Sequence, residues 1–211
     1  MSYAPSTFHA GTGEDFFRKE GFLVDGMAPL ITARYTIPAF DDYEATDLTI
    51  TNSSAKAGTG AATSWSGWNL DAAKTKLLAI AYIAPSTTDW AGIGFHEGTL
   101  PTGALDESYQ AIFYGNQARI AMSEYTGGSI TDIDTTSTIY QDDVISSPVW
   151  GIALYVDGDS NLQKCFIKSG TAEWAEVLSD TDSDHTSFQS FFLWHDEASV
   201  RFITPIMCWG S

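Results

Sequence analysis

The feature that most constrains the fold of this chain is a run of short strand-like segments with hardly any helical periodicity. From residue 74 onward, apolar segments recur about every ten residues, separated by Gly, Asp, Asn and Ser. Between Ala118 and Tyr125 the side chains alternate with the period of two that is typical of a half-buried strand. One turn at Asp71 to Lys76 is the only helix candidate. The pattern predicts an all-β protein, an antiparallel two-sheet sandwich or a barrel.

The clearest unit lies between Val149 and Leu178. A first strand is followed by a turn at Asp157 to Asn161, a return strand at Leu162 to Lys168, and a second turn at Ser169 to Thr171. A third strand then runs from Glu173 to Leu178. The alternation in the first strand predicts four core-facing side chains: Trp150, Ile152, Leu154 and Val156.

Other segments complete the predicted sandwich. Lys74 to Ala84 is apolar enough for a central strand. Ser190 to His195 and Ser199 to Met207 flank Asp196-Glu197-Ala198, and this spacing predicts a closing hairpin. Two further strands are expected, at Trp90 to Phe95 and at Gln110 to Tyr114.

The first 46 residues differ from the rest. They are rich in Pro and Gly and hold only short apolar runs, which is typical of an extended arm. We therefore expect an N-terminal arm over residues 1–46 and a sandwich domain over residues 47–211. The arm carries aromatic anchors at Phe8, Phe16 and Phe17 that could dock on a neighbouring subunit of a homo-oligomer or on the arm's own sandwich.

Residues 53–68 consist mainly of Ser, Gly, Ala and Thr and are expected to form a long loop. Trp65 and Trp68 lie within it. Exposed Trp side chains are common anchors in protein interfaces and stacking platforms for sugar rings. The alternative is that both indoles fold down and plug one end of the sandwich. The two tryptophans are thus candidate interface or glycan-binding residues.

The segment from Val149 to Trp174 resembles the back-sheet meander of concanavalin A-like lectin/glucanase (laminin-G-like) domains. The resemblance rests on Tyr155-Val156-Asp157-Gly158-Asp159, which matches the turn between two long strands, and on Glu173-Trp174 after the next turn. Phe191 to Phe202 is similar to the final strands of such a jelly roll. The resemblance covers about residues 74–207 and implies a jelly-roll sandwich.

Domains of this type occur in tail, fibre and capsid-decorating proteins of bacteriophages. The resemblance therefore implies a virion structural protein whose partners are other virion subunits. The segment Met1 to Phe8 shows neither the basic start nor the apolar run of a signal peptide, so we expect the protein to be made in the host cytoplasm. This step is an analogy, because a fold does not fix a function. The alternative is a lectin-like module whose partner is a surface glycan.

The charge balance excludes some partners. The chain has 27 acidic and 10 basic residues, a formal charge of −17. Nucleic acids and anionic membranes repel such a surface, so neither is expected as a partner. The two cysteines, Cys165 and Cys208, form no disulfide framework and are expected to be free thiols.

The sequence offers no recognisable catalytic pattern. A glucanase would need closely spaced carboxylates on one strand, and a serine hydrolase would need a Gly-x-Ser-x-Gly elbow. Neither occurs, so we expect a protein that is not an enzyme and needs no cofactor. The four histidines are scattered, and His96 and His195, each beside an acidic residue, are expected at solvated strand ends.

Calcium is the one ion that the sequence suggests. Oxygen ligands alternate along two acidic turns and could converge on a hard cation. The first set comprises Asp157, Asp159 and Asn161, and the second comprises Asp180, Asp182 and Asp184. Neither turn continues to the Gly and distal Glu of an EF-hand, and Asp and Asn are also ordinary turn residues.

Overall fold

The computed structural model describes residues 33–36, 44–45, 48–51, 54–57, 64–84, 90–99, 105–115, 119–136, 150–169, 174–195 and 201–210. Side chains are described only in part of the strands at either end of the chain. Phe8, Phe16 and Phe17 lie outside the described residues. In the described part of the chain, no helix is long and apolar enough to cross a membrane.

The described residues form fifteen β-strands. The first seven are β1 (Ala33–Thr36), β2 (Glu44–Ala45), β3 (Leu48–Thr51), β4 (Ser54–Ala57), β5 (Ser64–Lys74), β6 (Lys76–Ala84) and β7 (Trp90–His96). The remaining eight are β8 (Ser108–Tyr114), β9 (Arg119–Thr126), β10 (Ser129–Thr135), β11 (Trp150–Asp157), β12 (Leu162–Ser169), β13 (Ala175–Thr181), β14 (Phe188–His195) and β15 (Arg201–Gly210).

These strands form two antiparallel sheets, so the predicted two-sheet sandwich is confirmed. The eight-stranded sheet has the order β13-β12-β11-β6-β15-β4-β3, with β1 also paired to β15. The seven-stranded sheet has the order β10-β9-β8-β7-β14-β5-β2. β1 and β2 belong to the predicted arm and pair with β15 and β5, respectively. The predicted boundary between the arm and the sandwich domain at residue 46 stays a prediction.

The core lies between the sheets and is built from alternate residues of each strand. The four side chains that the sequence assigned to the core, Trp150, Ile152, Leu154 and Val156, are all buried there. The facing sheet contributes aliphatic side chains together with the aromatic rings of Phe95, Tyr109, Phe113, Phe188 and Phe191. Cys165 is buried and free, as predicted, and burial raises the pKa of its thiol.

Three local predictions were wrong. The predicted loop at residues 53–68 contains β4 and the start of β5. The predicted helical turn at Asp71 to Lys76 spans the end of β5 and the start of β6. Sheet hydrogen bonds with β14 hold β5 extended despite its small residues. The predicted closing hairpin does not form, because β14 and β15 lie in different sheets. Each apolar strand takes an interior position in its own sheet.

Strand β10 is one of the strands that the sequence did not predict. β10 is polar and mostly exposed, so it lacks the apolar alternation by which the other strands were recognised. It pairs with β9 through a tight turn at Gly127 and Gly128, whose φ angles of 59° and 80° lie in the left-handed region. The Gly-Gly pair is the hairpin signal that marks this strand.

Candidate functional site

The outer face of the seven-stranded sheet carries a row of polar side chains. Tyr109, Ala111 and Phe113 of β8 point into the core, so the intervening residues point outward. Residues paired with these outward-pointing positions on the neighbouring strands lie on the same outer face. Its polar members are Ser190 of β14, His96 of β7, Ser108 and Gln110 of β8, Ser123 of β9 and Asp132 of β10.

The glycines of β7 allow this face to pack closely. A Cβ at Gly94 would lie 2.2 Å from Cζ of Phe192, so the phenyl ring lies directly over the glycine. A Cβ at Gly92 would lie 2.4 Å from the backbone oxygen of Ala111. Gly94 therefore lets an aromatic ring lie across the sheet, and Gly92 lets the backbone of the neighbouring strand approach closely.

Gln110 occupies the centre of this face without a partner. It is fully buried, and neither of its amide atoms has a hydrogen-bond partner in the part of the chain that the structure describes. Its neighbours across the sheet are Gly94 and Ser123. An amide offers both a donor and an acceptor, so burying this side chain without partners among the described residues costs free energy of folding.

A cluster of aromatic and charged side chains lies beside Gln110 on the same face, with Tyr114 and Ser123 buried and Arg119 and Asp132 partly exposed. We call it the β8–β10 patch: Trp90, Tyr114, Arg119, Ser123 and Asp132. The guanidinium carbon of Arg119 lies 4.6 Å from the centre of the Tyr114 ring, and the Trp90 ring meets the same ring edge-on at 4.7 Å. The Arg119 and Asp132 side chains are 26% and 29% exposed. The guanidinium of Arg119 and the carboxylate of Asp132 are therefore the parts of the patch that a polar ligand could reach.

Asp132 contacts three other side chains of the patch. It accepts hydrogen bonds from the hydroxyls of Ser123 at 2.6 Å and Tyr114 at 3.1 Å, and Arg119 lies 3.4 Å away. Burial raises the pKa of Tyr114 to about 12, with the Asp132 carboxylate adding to the effect. The phenol is therefore a donor near neutral pH, and the partly exposed carboxylate is an acceptor for ligand hydroxyls.

His96 is buried, contrary to the predicted solvated strand end. Its Nε2 lies 2.9 Å from Oδ1 of Asp106, and its Nδ1 lies 3.5 Å from the carbonyl oxygen of Gly98. The His96 hydrogen bond lowers the pKa of Asp106. Ser190 Oγ also lies 2.7 Å from the Gly98 oxygen, so His96 and Ser190 both hold this loop. His96 is thus a structural side chain at one end of the polar face.

The second predicted calcium turn brings two of its three carboxylates to a common point. Asp182 and Asp184 lie with Glu124 of β9 so that one oxygen of each is within 4.8 Å of the others. Asp180 instead accepts the backbone N–H of Thr181 at 2.7 Å. Burial raises the pKa of Glu124, and Asp182 and Asp184 raise it further. These three carboxylates could hold a hard cation.

The first predicted calcium turn is already paired with a lysine. Lys76 Nζ lies 3.2 Å from Asp157 and 3.3 Å from Asp159. Asp157 also accepts the backbone N–H groups of Asp159 and Ser160 at 3.0 and 3.3 Å. Asn161 adopts a left-handed φ of 56° and closes the turn. Calcium at Asp157, Asp159 and Asn161 stays a prediction, and the ion would have to displace Lys76.

The remaining predicted site residues have only a backbone description. Trp65 and Trp68 lie on β5, where they pair with Trp194 and Phe191 of β14 rather than in a loop. Their proposed roles as interface or glycan-binding residues stay predictions. The residues of the β8–β10 patch were missed because their positions are spread over four strands, and no local motif joins them.

Solved structures that share this fold include a carbohydrate-binding module and a lectin. A carbohydrate-binding module from Bacillus subtilis is 11% identical with a TM-score of 0.56, covering 85% of this chain and 97% of its own. A lectin from Bauhinia forficata in complex with GalNAc is 10% identical with a TM-score of 0.60, covering 84% and 97%. The Ca²⁺-bound exoplasmic/lumenal domain of VIP36 is 8% identical with a TM-score of 0.60, covering 81% and 83%.

These likenesses show a legume-lectin-like, concanavalin A-like jelly-roll sandwich, as the sequence resemblance implied. At such low identity they show the fold alone. No protein-family model matches the chain. No curated protein matches it either. None of the three structures named above is described as a virus protein, so the virion role stays a prediction.

Proposed function

We propose that this chain is a lectin-like module that binds neutral glycans at the β8–β10 patch. The observation that carries the proposal is the arrangement of Asp132 and Arg119, a partly exposed carboxylate and guanidinium held together by the largely buried ring of Tyr114. Sugars present hydroxyls in the plane of the ring and C–H groups on its faces. Carboxylate and guanidinium groups bind the hydroxyls, while aromatic rings pack against the faces.

The charge of the chain narrows the class of glycan. With a formal charge of −17, the module would repel sulfated and sialylated chains, which are anionic. Salt limits this repulsion to about one Debye length. Neutral hexose and N-acetylhexosamine glycans carry no such penalty. The named lectin and carbohydrate-binding module support glycan binding as a class, without specifying the sugar.

A glycan array followed by calorimetry on the best neutral ligand tests the proposal. Asp132→Asn should weaken binding by about tenfold or more, because a charged acceptor becomes neutral at nearly constant size. Arg119→Lys should weaken it as well, since lysine cannot reproduce the planar fork over Tyr114. Glu176→Gln, on β13 of the other sheet, is the charge-matched control and should bind like the wild type.

The outcomes are distinct. Absence of binding to any array glycan would overturn the proposal, and so would binding that Asp132→Asn and Arg119→Lys leave intact. We also propose that the module binds without catalysis, so glycans incubated with the protein should be recovered uncleaved. Release of reducing ends that depends on Asp132 would contradict this.

We further propose, from the sequence resemblance, that the module works as a homo-oligomeric component of a bacteriophage particle. This proposal is compatible with glycan binding, since a particle subunit that binds a host receptor would need both assembly and glycan binding. Size-exclusion chromatography with light scattering tests the oligomer directly. A chain that stays monomeric at high concentration would contradict the assembly role and leave the glycan proposal standing.

A further inference from the structure

The outer face of the eight-stranded sheet is apolar and buried. Alternate residues of β6 and β11 belong to the core, so the residues between them point outward. Strand β12 continues the alternation, since Cys165 and Ile167 belong to the core. Five outward-pointing apolar side chains are at most 1% exposed, and we call them the outer apolar patch: Leu78, Ile80, Ala153, Tyr155 and Phe166.

The side chains of the outer apolar patch form one contiguous surface. In the strand register Tyr155 lies beside Leu78, and Ala153 lies between Ile80 and Phe166. Paired side chains on one face of a sheet lie about 5 Å apart. Burial raises the pKa of the Tyr155 phenol, which is the expected effect on a hydroxyl that is kept from water. The patch is therefore covered in the folded chain.

The described strands do not supply this cover. Each of them belongs to one of the two sheets, so none lies over the outer face. The Trp174 ring covers one end of the face: a Cβ on Gly151 would lie 2.6 Å from its Cη2, and its centroid lies 6.3 Å from that of Tyr82. Gly151 and Tyr82 are paired two residues away from Ala153 and Ile80. Since the patch is buried within a single chain, a further segment of the same chain has to lie on it.

We propose that residues 1–32 of the N-terminal arm, which lie outside the described residues, dock on the outer apolar patch of their own chain. The place where this segment ends supports the proposal. Ala33 begins β1, which pairs with β15, and β15 pairs with β6 of the patch. Docking on the chain's own sandwich is one of the two alternatives that the sequence left open for the arm.

The length of the segment is sufficient to cover the patch. With neighbouring strands about 4.8 Å apart, β12 lies four strand spacings from β1, or about 19 Å away. Val24 lies nine residues before Ala33 and can therefore be up to about 30 Å from it, at about 3.3 Å per residue. The apolar residues of the arm up to Val24 can thus reach every strand of the patch.

The composition of the segment suits an apolar surface. Its apolar runs are Phe16-Phe17 and Phe22-Leu23-Val24, separated by the polar stretch from Arg18 to Gly21. Phenyl rings pack favourably against other aromatic rings, and the patch offers those of Tyr155 and Phe166.

A second stretch outside the described residues, 137–149, is also long enough to cross a sheet. It joins β10 to β11 and carries Asp142 and Asp143 at its centre, where an apolar surface would have to remove two charges from water. The arm is therefore the better match to the patch.

Docking of the arm in this way would leave one sheet face for ligands. The outer face of the eight-stranded sheet would be closed, whereas the β8–β10 patch lies on the other sheet. The arm proposal is independent of glycan binding, and each can fail without the other. It also means that an oligomer of this chain would have to form through surfaces other than the arm.

Photocrosslinking of the full chain tests the proposal. The photoreactive amino acid p-benzoylphenylalanine in place of Phe166 puts an aromatic probe into the patch, and peptide mass mapping after irradiation identifies its neighbours. We expect crosslinks to residues 1–32 of the same chain. Mixing isotope-labelled with unlabelled protein distinguishes crosslinks within a chain from those between chains. The same probe in place of Ile130, which is 43% exposed on β10 of the other sheet, is the control and should not crosslink to the arm.

A charge in the arm provides the second test. Phe17→Asp should lower the yield of the arm crosslink by at least about tenfold, because burying an unpaired carboxylate is unfavourable. It should also increase the fluorescence of an apolar dye such as ANS, since the patch becomes exposed. Thr12→Asp adds the same charge to a polar stretch of the arm and should change neither signal.

Each other outcome contradicts the proposal. Crosslinks from the patch to residues 137–149 alone would show that the β10–β11 connection covers it. Crosslinks between chains would show that the arm docks on a neighbouring subunit instead. An absence of crosslinks to the arm would equally overturn it. If the Phe166 variant does not fold, the probe takes the place of Tyr82, a partly buried residue on the same face.

Discussion

A Cβ atom on Gly158 would lie 1.9 Å from the backbone carbonyl oxygen of Thr186. The β11–β12 turn and the connection from β13 to β14 therefore meet backbone to backbone. Two further hydrogen bonds join them, from Asp182 N to Asn161 O at 2.9 Å and from Gln163 Nε2 to Asp182 O at 3.0 Å. The turn that the sequence identified most clearly is thus the support on which the Asp182–His185 segment rests.

Gly158→Ala is expected to destabilise the protein by about 2–3 kcal/mol, because the clash is with backbone atoms that have no rotamer to change. Urea unfolding measures the loss. Gly98→Ala is the comparison: it meets no atom within 4 Å but has a φ of 78°, so it should cost only about 1 kcal/mol. An equal loss in both variants would mean that the contact with Thr186 is not the cause.

Tyr109→Phe should destabilise the same segment by about 2 kcal/mol. The Tyr109 hydroxyl donates to the Asp182 carboxylate and accepts the backbone N–H of His185 at 3.1 Å. Its removal leaves a buried N–H without a partner. Tyr155→Phe, which loses only a 3.4 Å contact with Asp157, should cost less than about 1 kcal/mol. Chemical denaturation of the two variants side by side checks the ranking.

Lys76→Met should cost about 2 kcal/mol near neutral pH, since the side chain of its partner Asp157 is only 7% exposed. Burial alone would raise the pKa of Asp157, but Lys76 and the turn N–H groups hold it below 3.8. Burial alone would lower the pKa of Lys76, but Asp157 and Asp159 raise it above 10.5. The pair therefore stabilises the fold between these two pH values.

The pH dependence of this loss provides the check. The stabilisation should disappear as the pH falls through the folded pKa of Asp157, so wild type and Lys76→Met should converge in acid. Lys164→Met breaks a surface pair with Glu176, whose side chain is 38% exposed, and should cost at most about 1 kcal/mol at any pH. A Lys76→Met loss that persists in acid would point to packing rather than charge.

Gln110→Met should stabilise the protein by about 1 kcal/mol, because it replaces a buried amide without hydrogen-bond partners by an apolar side chain of similar size. Thermal unfolding measures the change. Gln163→Met is the matched control: this residue is equally buried, but its Nε2 donates to Asp182 O, so the same substitution should destabilise. Destabilisation by Gln110→Met would show that the amide has a partner in the folded chain.

The sequence was sufficient to predict a strand where the strand's own residues carry the pattern. The meander of β11, β12 and β13 and the core positions from Trp150 to Val156 followed from a period of two and from turn chemistry. It was insufficient for β5, because Gly, Ser and Ala form a loop or a strand according to whether a partner strand is present. The placement of β14 and β15 in different sheets also depends on partners that are distant in sequence.

The proposed glycan site could not be found from the sequence. Tyr114 ends β8, Arg119 begins β9 and Asp132 lies on β10, so no local motif links them. The sequence by itself determined the class of fold, since alternation and turn residues act between near neighbours. Only the tertiary structure decided which strands pair, and hence which side chains of distant strands lie together, because these contacts depend on the packing of two sheets against a shared core.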